Sequence, residues 1–518
     1  MTLSRKFAAA LVAGLLTTTL LGAQISLGVS QESEEVAEYV TELPAGVKGD
    51  RMRAYFAAYD HEDPEEYATW LRENRTEEAF GMAPLEARVG QFEMDLEMFG
   101  KFTIGQVLEV EPNMFEVLVQ DNDHGQWRKV VFVFEDRPPY KIGPMALEPS
   151  LGPGQEITLD FAWNNLEDFV DEYRARTGIP AIALGVMKDG AIVGIAAKGQ
   201  RNLNGPEDVE IDDKFHWGSL TKSVTGTMLG KLIEDGILDW DTTVGEVLGD
   251  MEMRDEYRDA KLWQVMSHQA GFPQYGNIGP EMAERFQGYR GTETERRAQF
   301  VADVLMEDPL GAPGEVGAYS NAGLTVAGFM AEVATGRSWQ QLVQQHVFDA
   351  IGMATAGFGW PVTKDDPNQP QGHFGSGPDN YEPQPEGAME TLIKVMSPAG
   401  DVHSSIGDML KYGQFHLDGM AGKDGYLKAE TVQGLHTPRP GQNPLSGEQY
   451  TFGWGHHCPG LEDVGACQRH NGSGGTYFAE LQLYTGQNIA AAYFANVLEP
   501  AEFYSKDIFR ALFDRYAR

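Results

Sequence analysis

Apolar positions recur along this chain with two different periods, and the change of period marks its organisation. Asp63-Pro64-Glu65-Glu66 supplies an N-cap, a proline at the first helical position where its missing N–H is not needed, and a glutamate at N3. Tyr67, Trp70 and Leu71 follow at helical spacing, so a helix is predicted from Pro64, and a second over Pro84–Phe99. From Phe102 the period falls to two. Runs at Thr103–Val110, Phe115–Val119 and Lys129–Phe134, broken by Pro112-Asn113 and Asn122-Asp123-His124-Gly125, predict an antiparallel sheet. Helices followed by such a sheet make a small α+β domain over 49–149.

Pro149-Ser150-Leu151-Gly152-Pro153-Gly154 reads as the entry to a linker, 150–156, and a second domain spans 157–518. It opens with an amphipathic helix near Leu166–Arg176. Two apolar runs, Ala181–Met187 and Ala191–Ala197, then flank Asp189-Gly190, a pair that tolerates the positive φ of a tight hairpin turn. A largely helical middle follows. Strands are predicted again at Tyr450–Gly455, Phe478–Tyr484 and Ile489–Ala495, with a closing amphipathic helix from about Ala501. Strands at both ends and helices between them predict one sheet assembled from distant segments.

Composition narrows the function classes. A net charge of −37 over 518 residues, 42% of them hydrophobic, is too dilute to keep the chain unfolded. The same acidity opposes phosphate backbones, and no basic stripe with interleaved aromatics occurs, so nucleic acid is excluded as a partner. Arg5 and Lys6 precede the apolar run Phe7–Gly22 and small Ala23, the pattern of a cleavable signal peptide over 1–23. The run is shorter than the ~20 residues of a good span. Export to the periplasm or the extracellular space is therefore expected, with no stable membrane insertion after cleavage and a flexible, acidic tether over 24–48. In such a compartment Cys458 and Cys467 are expected to pair, closing a short loop just before His470.

Three segments carry candidate chemistry. In Trp217-Gly218-Ser219-Leu220-Thr221-Lys222, spacing i, i+3 puts the Lys222 amine on the helix face that carries the Ser219 hydroxyl, where a depressed pKa would let it take the proton. Ser219 is placed in the first turn, whose N–H groups point at a developing oxyanion. Tyr319-Ser320-Asn321 enters a helix, with Tyr319 able to exchange a proton and Asn321, read structurally as an N-cap, able to hold a substrate amide. His470-Asn471-Gly472-Ser473-Gly474-Gly475-Thr476 leads into a strand; its glycines allow a close backbone approach, and the Ser473 N–H is a second oxyanion donor. No Lys-Ser/Thr follows those glycines, which excludes a phosphate loop. His456 and His457 lack a third ligand at persuasive spacing, so no metal is expected. Asp408 and Trp454 read as packing residues.

Together, and in this order, the three segments resemble the serine β-lactamase and penicillin-binding-protein superfamily, most strongly its class C-like branch of esterases, D-aminopeptidases and DD-peptidases. Met266-Ser267-His268-Gln269-Ala270-Gly271-Phe272 and Ser397-Pro398-Ala399-Gly400-Asp401 add to the resemblance, which covers about 170–515. It implies an α/β (α+β) fold, an antiparallel sheet flanked by helices with an all-helical subdomain. It further implies Ser219 as the acylated nucleophile, Lys222 as base or relay, Tyr319 as partner acid/base, Asn321 as clamp, and His470 with Gly472 and Ser473 as the third motif. The backbone N–H groups of Ser219 and Ser473 would form the oxyanion hole, and no cofactor is required. The pattern departs from true β-lactamases at His470, where they carry lysine. The front domain resembles an NTF2-like cone. The expected function is a secreted serine hydrolase acting on small-molecule or short-peptide esters, amides or D-amino-acid peptides; the alternative is a covalent binding protein or sensor with negligible turnover.

Overall fold

The computed structural model describes residues 39–517 except 78, 80–84, 123–124, 126, 155–158, 277–279, 376–380, 386–393, 442–448 and 462. The expected signal peptide, and the tether up to residue 38, lie outside the described residues.

The front part sets three helices, α1 (Val47–His61), α2 (Pro64–Asn74) and α3 (Leu85–Phe99), on a four-stranded antiparallel meander of β1 (Phe102–Glu111), β2 (Met114–Asp121), β3 (Trp127–Phe134) and β4 (Ile142–Pro149). Asp63 caps α2 by accepting the N–H groups of Glu65 and Glu66 at 2.9 and 3.2 Å. Aromatic rings hold the layers together, with Tyr67 stacked on Phe92 at 4.1 Å and Tyr55 edge-on to Phe132 at 5.3 Å. The Val40 carbonyl accepts the Val107 N–H of β1 at 2.7 Å, so the last residues before α1 are tied to the sheet.

The second part is built on a five-stranded antiparallel sheet. After α4 (Leu166–Thr177), its strands β5 (Ala181–Lys188) and β6 (Ala191–Gly199) form the hairpin read from the sequence, turning at Asp189 and Gly190 with φ of 53° and 80°. The chain then leaves the sheet for α5 (Thr221–Glu234), α6 (Glu293–Met306), α7 (Asn321–Thr335) and α8 (Ile406–Met420). It returns as β7 (Cys467–Ser473), β8 (Phe478–Tyr484) and β9 (Ile489–Ala495), and ends in α9 (Ser505–Tyr516). Strand order is β7-β8-β9-β5-β6, so β7 lies at an edge. β8 and β9 are buried at every residue because helices cover both faces. Leu166, Phe169, Ile508 and Phe509 pack with Ile182 and Tyr493 on one side; Val224, Met409 and Leu410 pack with Leu481 and Phe494 on the other. This is the expected α/β architecture. A buried ion pair between Arg297 of α6 and Glu332 of α7 braces the helical region, and Glu332 also accepts from Thr294 Oγ1 at 2.9 Å and Trp339 N at 2.8 Å.

Three local expectations are corrected. Tyr450–Gly455 is a tight turn closed by one antiparallel bridge, because Gly453, at φ 91°, reverses the chain. The His470–Ser473 stretch lies inside β7, and the reversal comes afterwards, over 474–477. The closing helix begins at Ser505, after a turn over 501–504.

Candidate active site

Strand Phe215–His216, paired to Val402–Ser404, delivers the chain into a 3-10 turn at Gly218–Leu220, and α5 begins one residue later. Ser219 therefore sits just before the helix, and Lys222 within its first turn. Lys222 is fully buried; its Nζ lies 3.0 Å from Ser219 Oγ and donates to the Ala399 carbonyl at 2.8 Å. Burial disfavours the ammonium and holds its pKa well below the ordinary lysine range. A neutral amine has a lone pair, so the contact with Ser219 can carry the hydroxyl proton toward nitrogen.

Tyr319 closes the other side. Its ring centroid is 4.8 Å from Lys222 Nζ, and its phenol shares a hydrogen bond with the Ser219 side chain. Burial pushes the phenol pKa up, against the opposing effect of that bond, so the phenol stays protonated at neutral pH. His268 stacks against Tyr319 at 4.4 Å with a φ of 60°, and its Nδ1 accepts the Ser320 N–H at 3.0 Å. Burial, then the nearby Lys222 and His470, keep that imidazole neutral.

The edge strand β7 crosses the Gly218–Leu220 turn at glycine-only distances. A Cβ on Gly472 would stand 2.2 Å from Trp217 O and 2.5 Å from Ser219 N; one on Gly218, whose φ is 52°, would stand 2.3 Å from Ser473 N. The backbone nitrogens of Ser219 and Ser473 thus flank one crossing. His470, from the same strand, is buried, and its pKa falls through desolvation and the proximity of Lys222 and Arg469, with a bond to Gly453 opposing. It is neutral at pH 7.

Ser219, Tyr319, His470, Gly472 and Ser473 line one cavity of about 620 Å³ together with Tyr450, Gly455, Arg469, Asn471 and Glu502. Lys222 lies behind Ser219. Asn321 is not on that wall: Ser320 is the cap of α7, accepting from Gly323 N at 2.9 Å, and Asn321 Nδ2 donates to the Tyr275 carbonyl at 2.8 Å. Cys458 and Cys467 are joined, with Cα atoms 6.1 Å apart, and Cys467 opens β7. Among the described residues no group of three or more His, Cys, Asp or Glu could hold a metal ion. No helix among them is long and apolar enough to cross a membrane.

Several residues in or beside the site carry no sequence signal of their role. Ala399 and His268 fall in segments flagged by resemblance, without roles. Tyr450 falls in a stretch whose alternation predicts a strand, and nothing in the local pattern distinguishes Arg469 or Glu502 from other surface charges.

A beta-lactamase family model matches residues 166–514. The chain is 27% identical to penicillin-binding protein 4 of Amycolatopsis lactamdurans over 67% of this chain and 88% of that protein. It is 25% identical to the lovastatin esterase of Penicillium rubens, over 33% of this chain and 46% of the esterase. Among solved structures, the octameric penicillin-binding protein homologue from Pyrococcus abyssi superposes with a TM-score of 0.56 at 22% identity, covering 68% of this chain and 77% of that one, which shows a shared fold.

Proposed function

The chain belongs to the beta-lactamase family, a fold of serine hydrolases, and from that premise we propose that it cleaves small esters, amides or D-amino-acid peptides through an acyl-enzyme on Ser219. The observation that carries the proposal is the buried Lys222 amine 3.0 Å from Ser219 Oγ. As Oγ attacks the carbonyl carbon, Lys222 Nζ takes its proton and negative charge grows on the carbonyl oxygen between the N–H groups of Ser219 and Ser473. The bond to the leaving group breaks, and that group leaves with a proton returned through Lys222 and the protonated Tyr319 phenol. Water then attacks the Ser219 ester, and the acid departs. Since burial neutralises both groups, Lys222 is the acceptor and Tyr319 the donor.

His470 favours an esterase or peptidase over a true β-lactamase. A neutral imidazole offers no permanent cation to the carboxylate of a β-lactam, as a lysine would. Export is supported by the Cys458–Cys467 disulfide, which needs an oxidising compartment. The front α+β domain is read as an NTF2-like accessory module. Purified protein should turn over p-nitrophenyl esters or D-Ala-D-Ala peptides many times per molecule and nitrocefin poorly, and Ser219→Ala should abolish this. One equivalent of product without further turnover would replace the hydrolase with the covalent binding protein or sensor.

A further inference from the structure

Arg469 and Glu502 are the ionisable residues on the cavity wall apart from His470 and the tyrosines. The guanidinium is committed, with Nε donating to the His457 carbonyl at 2.8 Å and Nη1 3.5 Å from the buried Glu480 carboxylate. Glu502 is in the opposite state. Among the described residues it has no ion pair, and its Oε1 accepts from the uncharged Asn471 amide at 3.2 Å. Its side chain is exposed to solvent on the cavity wall, and desolvation by the neighbouring protein, followed by Glu480 and Glu499, raises its pKa against the pull of Arg469, so an arriving cation would relieve it. Lys222, the amine of the site, is buried in its neutral form. His470 lines the same cavity; the residue is nine-tenths buried, its Nδ1 is buried with no partner among the described residues, and its other polar bond goes to Gly453. The wall thus carries a carboxylate that makes no ion pair among the described residues, beside a neutral imidazole.

We propose that this cavity selects ligands carrying a primary ammonium, and that Glu502 is the residue that recognises it. The inference rests on the hydrolase reading for the chemistry after binding. Asn471, which holds Glu502, lies two residues along β7 from Ser473, about 7 Å at strand rise. That distance suits the free amino terminus of an aminoacyl ester, amide or short peptide whose carbonyl meets Ser219. The carboxylate is also held in place. Glu502 N–H donates to the Leu498 carbonyl at 3.0 Å, and three residues before it Glu499 is gripped by both terminal nitrogens of Arg128 at 3.4 Å. Arg128 belongs to β3 of the front domain, and its guanidinium lies 3.5 Å over the Phe99 ring. The front domain thus braces the segment that presents Glu502.

Binding is read by calorimetry at pH 7 with alanyl-alaninamide, its N-acetyl derivative, and N-acetyl-alanyl-alanine, each in D and L series, against the full chain and Glu502→Gln. The free-amine ligand should bind the native chain about tenfold or more tightly than the neutral one, a difference of about 1.4 kcal/mol. Glu502→Gln should erase that ratio, and because the ratio is internal to each protein it does not depend on the variant's yield. Equal binding of the amine and acetylated ligands, or tighter binding of the carboxylate ligand, overturns the proposal, and so does a ratio that Glu502→Gln leaves intact. The native comparison stands even if the variant does not fold. Calorimetry needs no turnover, so absent ester hydrolysis would sink the hydrolase reading separately.

Discussion

Gly472→Ala tests the crossing of β7 over the turn that carries Ser219. The added Cβ would lie 2.2 Å from Trp217 O, 2.5 Å from Ser219 N and 2.7 Å from Leu220 N, all backbone atoms with no rotamer to yield. The strand must move away, and overpacking of this kind costs about 1–3 kcal/mol of stability. The displacement also carries Ser473 N from Ser219 N. Losing one oxyanion donor lowers kcat by about 10²–10³, or roughly 2.7–4 kcal/mol of transition-state stabilisation. Gly190→Ala is the control: φ is 80° and nothing lies within 4 Å of the new Cβ, so it meets left-handed backbone strain of about 1–2 kcal/mol and no clash. Urea unfolding and kcat on a p-nitrophenyl ester, with active sites counted by an acylating probe, should give two destabilised proteins of which only Gly472→Ala is catalytically crippled. Native kcat in Gly472→Ala would refute the assignment of Ser473 N to the oxyanion.

Four further outcomes are expected. Lys222→Ala should slow acylation by about 10²–10⁴ while unfolding stays cooperative, and in the native chain acylation should climb with pH as the buried amine loses its proton; a flat profile from pH 5 to 9 contradicts the role. Arg297→Met leaves Glu332 charged and buried without its cation, so urea unfolding should show a loss of about 3–5 kcal/mol, whereas kcat per folded molecule is kept. Replacing Cys458 and Cys467 by alanine opens a loop with a sequence separation of 9 and should cost about 2–3 kcal/mol in the same assay. Asp401 is buried, with its pKa pushed up to about 7 by desolvation while Ser397 pulls it down. A carboxyl raised from 3.8 is protonated in the fold where it would ionise unfolded; its contribution is complete below pH 3.8 and is lost as pH rises through about 7, roughly 3–5 kcal/mol in all. Asp401→Asn should flatten stability between pH 4 and 8.

The features legible in the sequence are those whose partners are close along the chain. Ser219 and Lys222 are separated by one helical turn, Asp63 caps a helix two and three residues on, and Asp189-Gly190 turns a hairpin of adjacent strands. The errors have equally local causes. β4 went unread because Gly143 and Pro144 interrupt its alternation, and Tyr450–Gly455 alternates like a strand although Gly453 bends it back. The sequence offers Asn321 as the cap, but the neighbouring Ser320 holds that position, since either side chain can cap and only the backbone decides.

The wall of the cavity was illegible for a different reason. It is assembled from β7, the 450–455 turn and the segment 498–502, and that segment is braced by Arg128 from the front domain, so no window of sequence contains it. The Ser219–Lys222 pair needs only one turn of helix to be set up, and it lies within the stretch 166–514 that the beta-lactamase family model matches. On the proposal above the ligand is chosen by Glu502, whose chemistry depends on Asn471, Arg469 and the other groups that the rest of the chain brings beside it. Reaction class is therefore written locally in this fold and specificity over long range. Substitutions at Glu502 should change which molecules are bound, whereas those at Ser219 and Lys222 should change whether any is cleaved.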